Sequence, residues 1–143
     1  MIRILLALSA LVLLAKPVFA DDQQFNLVCA GTKTLLSSPT NRIAGSGKPY
    51  SVTFSIDMAK AQFCQTPCRF VETLEEITSD HIKHTDSVSG SLIQMLYMMR
   101  IDRTNGHLFL GVYYMMPNRP FNGSEVDADC TKAPFTGFPA NSF

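Results

Sequence analysis

The chain has 143 residues, 12 Lys or Arg against 12 Asp or Glu, 46% hydrophobic residues, four cysteines and no tryptophan. A formal charge of zero with no basic patch makes nucleic acid and anionic membrane surfaces poor candidates as partners. The length suits one domain with a real core, and no composition shift marks a second.

Residues 1–20 read as a signal peptide rather than as part of the fold. Arg3 supplies a short positive region, Ile4–Ala15 is uncharged and apolar, and Val18-Phe19-Ala20 offers small residues at −3 and −1. A membrane span needs about 20 apolar residues, so the run is too short to be an integral anchor. Cleavage after Ala20 leaves residues 21–143 as a single β-rich exported domain with ten basic and twelve acidic residues, a net charge of −2. Periplasmic or secreted localisation follows, and four cysteines in a short exported chain read as two disulfides with three possible connectivities.

Phe25–Thr32 reads as a first strand, and residues 35–49 as a polar excursion rich in Pro, Gly, Ser and Thr. Tyr50, Val52, Phe54 and Ile56 alternate with polar neighbours, the period of a half-buried strand. Met58–Ala61 turns the chain, and Gln62–Cys64 returns. Residues 69–88 carry mixed signals: Val71, Leu74 and Ile77 have helical spacing, while β-branched residues and a turn at Ser79-Asp80 favour a hairpin. The hairpin is the preferred reading. His81 and His84 then point to opposite faces, and the Asp80–Asp86 stretch is expected to be a solvated turn or strand edge.

Residues 91–116 are the strongest hairpin signal, two apolar runs around Asn105-Gly106. A two-residue type I′ turn there predicts Ile101 opposite Leu110, Met99 opposite Val112 and Tyr97 opposite Tyr114. Met95, Tyr97, Met99, Val112, Tyr114 and Met116 become the candidate ligand-lining residues. The other strand face carries Leu96, Met98, Phe109 and Tyr113, and a hairpin apolar on both faces needs a closed or partly closed sheet. An internal echo links Phe54-Ser55-Ile56-Asp57…Gln62-Phe63 with Met99-Arg100-Ile101-Asp102…His107-Leu108 at an offset of 45 residues, suggesting a duplicated hairpin unit. The tail is expected to be irregular, pinned by Cys130 and by Phe135, Phe138 and Phe143 on the core.

Chemistry-bearing motifs are sparse. Gly45-Ser46-Gly47-Lys48 lacks the earlier glycine and the following hydroxyl of a phosphate loop. Five of the seven methionines fall in the 91–116 hairpin, which raises Cu(I) capture as a minor reading against ordinary core filling. No nucleophile motif stands out, so no catalytic residue, resident metal or cofactor is assigned. Pro67 seeds a turn that brings Cys64 and Cys68 within disulfide reach, which leaves Cys29 to join Cys130.

These residues also carry a resemblance. Phe25, Leu27 and Cys29-x-Gly31-Thr32 are followed by Ile56-Asp57, Cys64-x3-Cys68 and Ile101-Asp102-Arg103-Thr104-x-Gly106. Cys130 and Phe135-x-Gly137-Phe138-Pro139 complete the set. The pattern resembles a group of small uncharacterised secreted or periplasmic proteins of proteobacteria, which implies an envelope or extracellular home and no particular activity. The fold expected is mainly β: an antiparallel β-meander of about six strands, a small barrel or half-barrel, disulfide-stapled. The function expected is a non-enzymatic exported binding or envelope-associated module of unknown partner. The alternatives are a lipocalin-like small-barrel binder of an apolar ligand and, less favoured, a Met/His copper-binding protein.

Overall fold

The computed structural model describes residues 23–138, which leaves the signal peptide expected over residues 1–20 and Phe143 outside the described residues. Its regular elements are strands: β1 Gln24–Ser38, β2 Asn41–Arg42, β3 Lys48–Asp57, β4 Gln62–Gln65, β5 Glu72–Thr73, β6 Glu76–Ile77, β7 His81–Ser89, β8 Gln94–Asp102, β9 His107–Met115 and β10 Asn122–Ala133. All pairings are antiparallel, in the order β5-β4-β3-β1-β10-β9-β8-β7-β6 with β2 on β1. This is the disulfide-stapled meander expected, a half-barrel. Its strand count exceeds six because residues 69–88 form short strands and a hairpin around Ser79-Asp80, and residues 122–133 form a long strand rather than irregular tail. Asn26 Nδ2 donates to Thr136 Oγ1 at 2.9 Å, and the Phe135 and Phe138 rings pack edge to face.

The two edge strands of the sheet are successive pieces of one segment. β5 pairs with β4, β6 pairs with β7, and only Leu74 and Glu75 separate them. Leu74 N–H donates to the Ala61 carbonyl at 2.7 Å and Glu75 N–H to the Lys83 carbonyl at 3.0 Å. Residues 72–77 therefore carry the curled sheet from one edge to the other and leave little unpaired edge between them.

The echo seen in the sequence is a structural duplication. β1, β3, β4 and the 72–77 segment form one meander, and β7 to β10 form the other. Met58 N–H donates to the Gln23 carbonyl as Arg103 N–H does to the Asp80 carbonyl, at 2.7 and 2.8 Å. Leu74 N–H donates to the Ala61 carbonyl as Cys130 N–H does to that of Gly106, at 2.7 and 2.9 Å. Ala61 and Gly106, 45 positions apart, both have left-handed backbones, φ 50° and 77°. The turn aspartates match too. Asp57 Oδ1 accepts from Lys60 N–H, and Asp102 Oδ1 accepts from the Thr104 N–H and hydroxyl.

The central hairpin differs from expectation in its turn. The loop is four residues, Arg103–Gly106, and Ile101 lies opposite Leu108, Met99 opposite Leu110, Tyr97 opposite Val112 and Met95 opposite Tyr114. Asp102 is the reason: its carbonyl accepts Gly106 N–H at 2.9 Å while its carboxylate holds Thr104. That leaves Gly106, and not Asn105, as the left-handed residue. The register slips by two, so every side chain keeps its face.

Alternation sends Phe25, Leu27, Phe54, Ile56, Phe63, Ile82, Met99, Ile101 and Leu108 inward, each 0–1% exposed. Cys29–Cys130 is bridged inside this core, across directly opposed positions of β1 and β10. Cys64–Cys68 closes the loop after β4. The first bridge spans 101 residues and the second only 4. Chain entropy alone assigns the long bridge about 4–5 kcal/mol. Cys130→Ser is expected to lower urea unfolding stability by several kcal/mol, and the Cys64→Ser/Cys68→Ser double variant by far less.

Candidate functional site

Five of the six residues picked from the sequence share the inner face but not one environment. Met99 is fully buried, and Tyr97 and Val112 pack half-buried against the core. Met95 and Tyr114 oppose each other farther from the turn, with Tyr114 37% exposed. Met116 lies past the end of β9 and lines a surface groove with Gly90, Ile93 and Gln94. Strand alternation also divides the methionines, with Met95 and Met99 inward and Met98 and Met115 outward, so they form no single thioether cluster.

The sequence reading missed a polar group on the inner face. His84 is 8% exposed, not part of a solvated edge, because it shares β7's inward parity with Ile82. Its Nδ1 lies 2.8 Å from the Thr73 carbonyl, which only accepts, so Nδ1 carries the hydrogen and donates. His84 Nε2 is 2.9 Å from Glu72 Oε2, but off the direction of an aligned hydrogen bond. The ring packs edge-on against Phe63 at 4.8 Å and lies 5.8 Å from the Tyr97 ring. Burial, then the Glu72 carboxylate and Tyr50, push the Tyr97 hydroxyl well above the usual phenol range. Burial also raises Tyr50, against the opposing effect of its hydrogen bond with Gln65.

The duplication shows what is unusual here. His84 pairs with Met99 as Leu27 pairs with Phe54, and Glu72 pairs with Phe63 as Ala128 pairs with Leu108. Tyr97 corresponds to Val52 at the 45-residue offset. Leu27 and Val52 of the first half thus stand where the second has His84 and Tyr97, and Ala128 of the second stands where the first has Glu72. Aligning the halves was the available signal, and the echo alone was too short to extend that far. The His84–Thr73 bond spans the seam between β7 and β5, where the two strands do not pair with each other.

The outer face of β8 and β9 is built differently. Tyr113 lies over Gly111, where a Cβ would come within 2.6 Å of the Tyr113 hydroxyl, and Phe121 covers Gly123 in the same way. The Tyr113 hydroxyl donates to Glu125 Oε1 at 3.1 Å, and Arg42 holds Glu125 Oε2 at 3.1 Å. Pro39, Leu96, Met98, Met115 and the two rings line a groove of about 280 Å³. Next to it, Glu76, His81, Lys83, Arg100 and Phe109 border a second groove of about 380 Å³. Among the described residues no group of three His, Cys, Asp or Glu side chains is arranged to hold a metal ion. Comparisons with protein families, curated proteins and solved structures return no match for this chain.

His84→Leu, which copies Leu27, is expected to cost about 1–3 kcal/mol by leaving the Thr73 carbonyl without its donor. Adding Glu72→Ala, which copies Ala128, is expected to cost less on that background than alone, a coupling of about 0.5–3 kcal/mol in a urea double-mutant cycle. A second expectation concerns alkaline pH. Burial, the Glu125 carboxylate and the hydrogen bond to it push Tyr113 from 10.0 up to about 12. The folded state then holds a proton that the unfolded chain releases, so stability falls as pH rises from 10 towards 12. Tyr113→Phe is expected to flatten that window in a denaturation series.

Proposed function

We propose that the protein is a non-enzymatic binding module of the periplasm or secreted space, working through one end of the half-barrel. The single observation behind this reading is where apolar surface is left uncovered. Antiparallel strands alternate, so connections 39–47, 66–71, 90–93 and 116–121 all follow strands that run away from the 58–61 and 103–106 turns, and after the short β4 the 66–71 connection begins level with Thr53 of β3. Ile43, Phe70, Leu92 and Ile93 lie in three of these connections, with Phe70 74% and Leu92 76% exposed. Leu35, Val88, Tyr114 and Met115 lie on the adjoining strand portions and are exposed as well. Collected apolar exposure of this kind marks interaction sites rather than random surface. The leader-like residues 1–20 support export, and two disulfides are compatible with an oxidising compartment. Among the described residues no helix is long and apolar enough to cross a membrane.

A second reading, a binder of a small apolar ligand, draws on the outer groove of about 280 Å³ between Leu96, Met98, Tyr113 and Phe121. That groove lies on the outer face, away from the inner-face residues singled out from the sequence. Native mass spectrometry of the protein recovered from rich medium separates the two: a bound lipid or other apolar mass favours the ligand reading.

The module reading expects the protein to co-sediment with isolated cell envelopes, and Leu92→Asp/Ile93→Asp to reduce the bound fraction at least about tenfold, since burying each aliphatic side chain is worth about 1.5–3 kcal/mol. A hydrolase or transferase activity abolished by one substitution, His84→Leu for instance, would overturn it.

A further inference from the structure

We propose that the partner of this end is the surface of an anionic phospholipid bilayer, on which the protein docks as a peripheral module. The inference rests on the binding-module reading above and names its partner. It begins from a gathering of cations that the linear sequence hides. The four connections 39–47, 66–71, 90–93 and 116–121 contain Arg42, Arg69 and Arg119 and no Asp or Glu. Lys48 opens β3 directly after 39–47, and Glu72 opens β5 directly after 66–71. Arg42 is engaged with Glu125, but Lys48, Arg69 and Arg119 have no ion-pair partner among the described residues. At the opposite end, Asp57, Asp80 and Asp102 stand at turns and strand ends, with Lys60 and Arg103 in the same 58–61 and 103–106 turns. The meander therefore gathers arginines in connections that hold no carboxylate, while the turns at the other end mix both signs.

Those cations share their connections with the most exposed apolar side chains. Arg69 precedes Phe70, and Arg42 precedes Ile43. Leu92 and Ile93 form the tip of the β7–β8 turn, which is closed by Gly90 N–H donating to the Ile93 carbonyl at 2.9 Å. The outer groove continues from this end, since Pro39 and Phe121 in two of the connections are among its walls. Apolar side chains entering the acyl boundary, with guanidinium groups level with phosphates, is how an interfacial protein binds. A protein partner would need shaped pockets for these side chains, whereas a bilayer needs only apolar tips with cations beside them. Charge complementarity selects anionic lipid.

The test is sedimentation with extruded vesicles, using protein expressed from the full sequence with its N-terminus checked by mass spectrometry. One set is phosphatidylcholine alone and the other contains about one third phosphatidylglycerol, since a juxtamembrane cation gains most from anionic lipid. Binding is expected to the phosphatidylglycerol vesicles and to fall with added salt. Arg69→Gln and Arg119→Gln are each expected to weaken it about fivefold. Leu92→Ser/Ile93→Ser is expected to weaken it about tenfold or more. These side chains are exposed, and circular dichroism with non-reducing peptide mapping checks that each variant keeps its fold. Equal binding to both vesicle types, or binding unchanged in the variants, overturns the proposal. A dimer that Leu92→Ser/Ile93→Ser dissociates in sedimentation velocity also overturns it, by assigning the surface to a second copy of the chain. Absence of vesicle binding with envelope binding intact overturns the lipid inference and leaves the module reading standing.

Discussion

Closure of the curled sheet is the constraint on which the rest depends. Each hairpin is apolar on its inner face, and the central one is apolar outside as well, so an open flat sheet would leave two sticky edges. The chain deals with this at two seams. At one, β1 and β10 pair along their length and Cys29–Cys130 fixes them from inside the core. At the other, residues 72–77 serve both edges in turn, and His84 supplies a side-chain hydrogen bond to the Thr73 carbonyl between strands that do not pair. The buried phenylalanines and aliphatic residues of both halves then fill one interior.

Duplication explains why the two seams correspond and why they differ. Leu74 and Cys130 occupy equivalent places after equivalent hairpins, and both amides donate to a left-handed turn residue. One place received a disulfide and the other a packed leucine with a histidine nearby. The same frame separates the two ends of the molecule. One end has short turns tied by Asp57 and Asp102; the other has longer connections that leave apolar side chains and arginines exposed. A duplicated meander places four connections at that end whatever their sequences are, so its composition can vary without disturbing the core.

Much of this could be read from the sequence. Period-two alternation in Tyr50–Asp57 and the paired apolar runs of 91–116 reported local geometry, and all three strands formed there. The Cys64–Cys68 spacing reported a local loop. What escaped was set by partners far away. Asn105-Gly106 favours a two-residue turn locally, but Asp102 holds a longer loop through its carboxylate and carbonyl, and the pairing slips accordingly. His84 appeared to belong to a polar stretch because its neighbours on either side are polar, and only the strand's inward parity and the approach of Glu72 and Phe63 bury it. The basic apolar end was invisible for the same reason. Arg42, Arg69 and Arg119 are 27 and 50 residues apart in sequence and share an end only through the meander.

Native-state hydrogen exchange tests closure most directly, because backbone protection reports the free energy of local opening. Closure through 72–77 predicts that the Leu74 and Glu75 amides exchange as slowly as Cys130, Met58 and Arg103, within the same cooperative unit. The Ser46 and Gly90 amides, in connections at the exposed end, should exchange much faster. Rapid exchange at Leu74 and Glu75 with Cys130 still protected would contradict it, leaving a sheet with two free edges fastened at the disulfide seam alone.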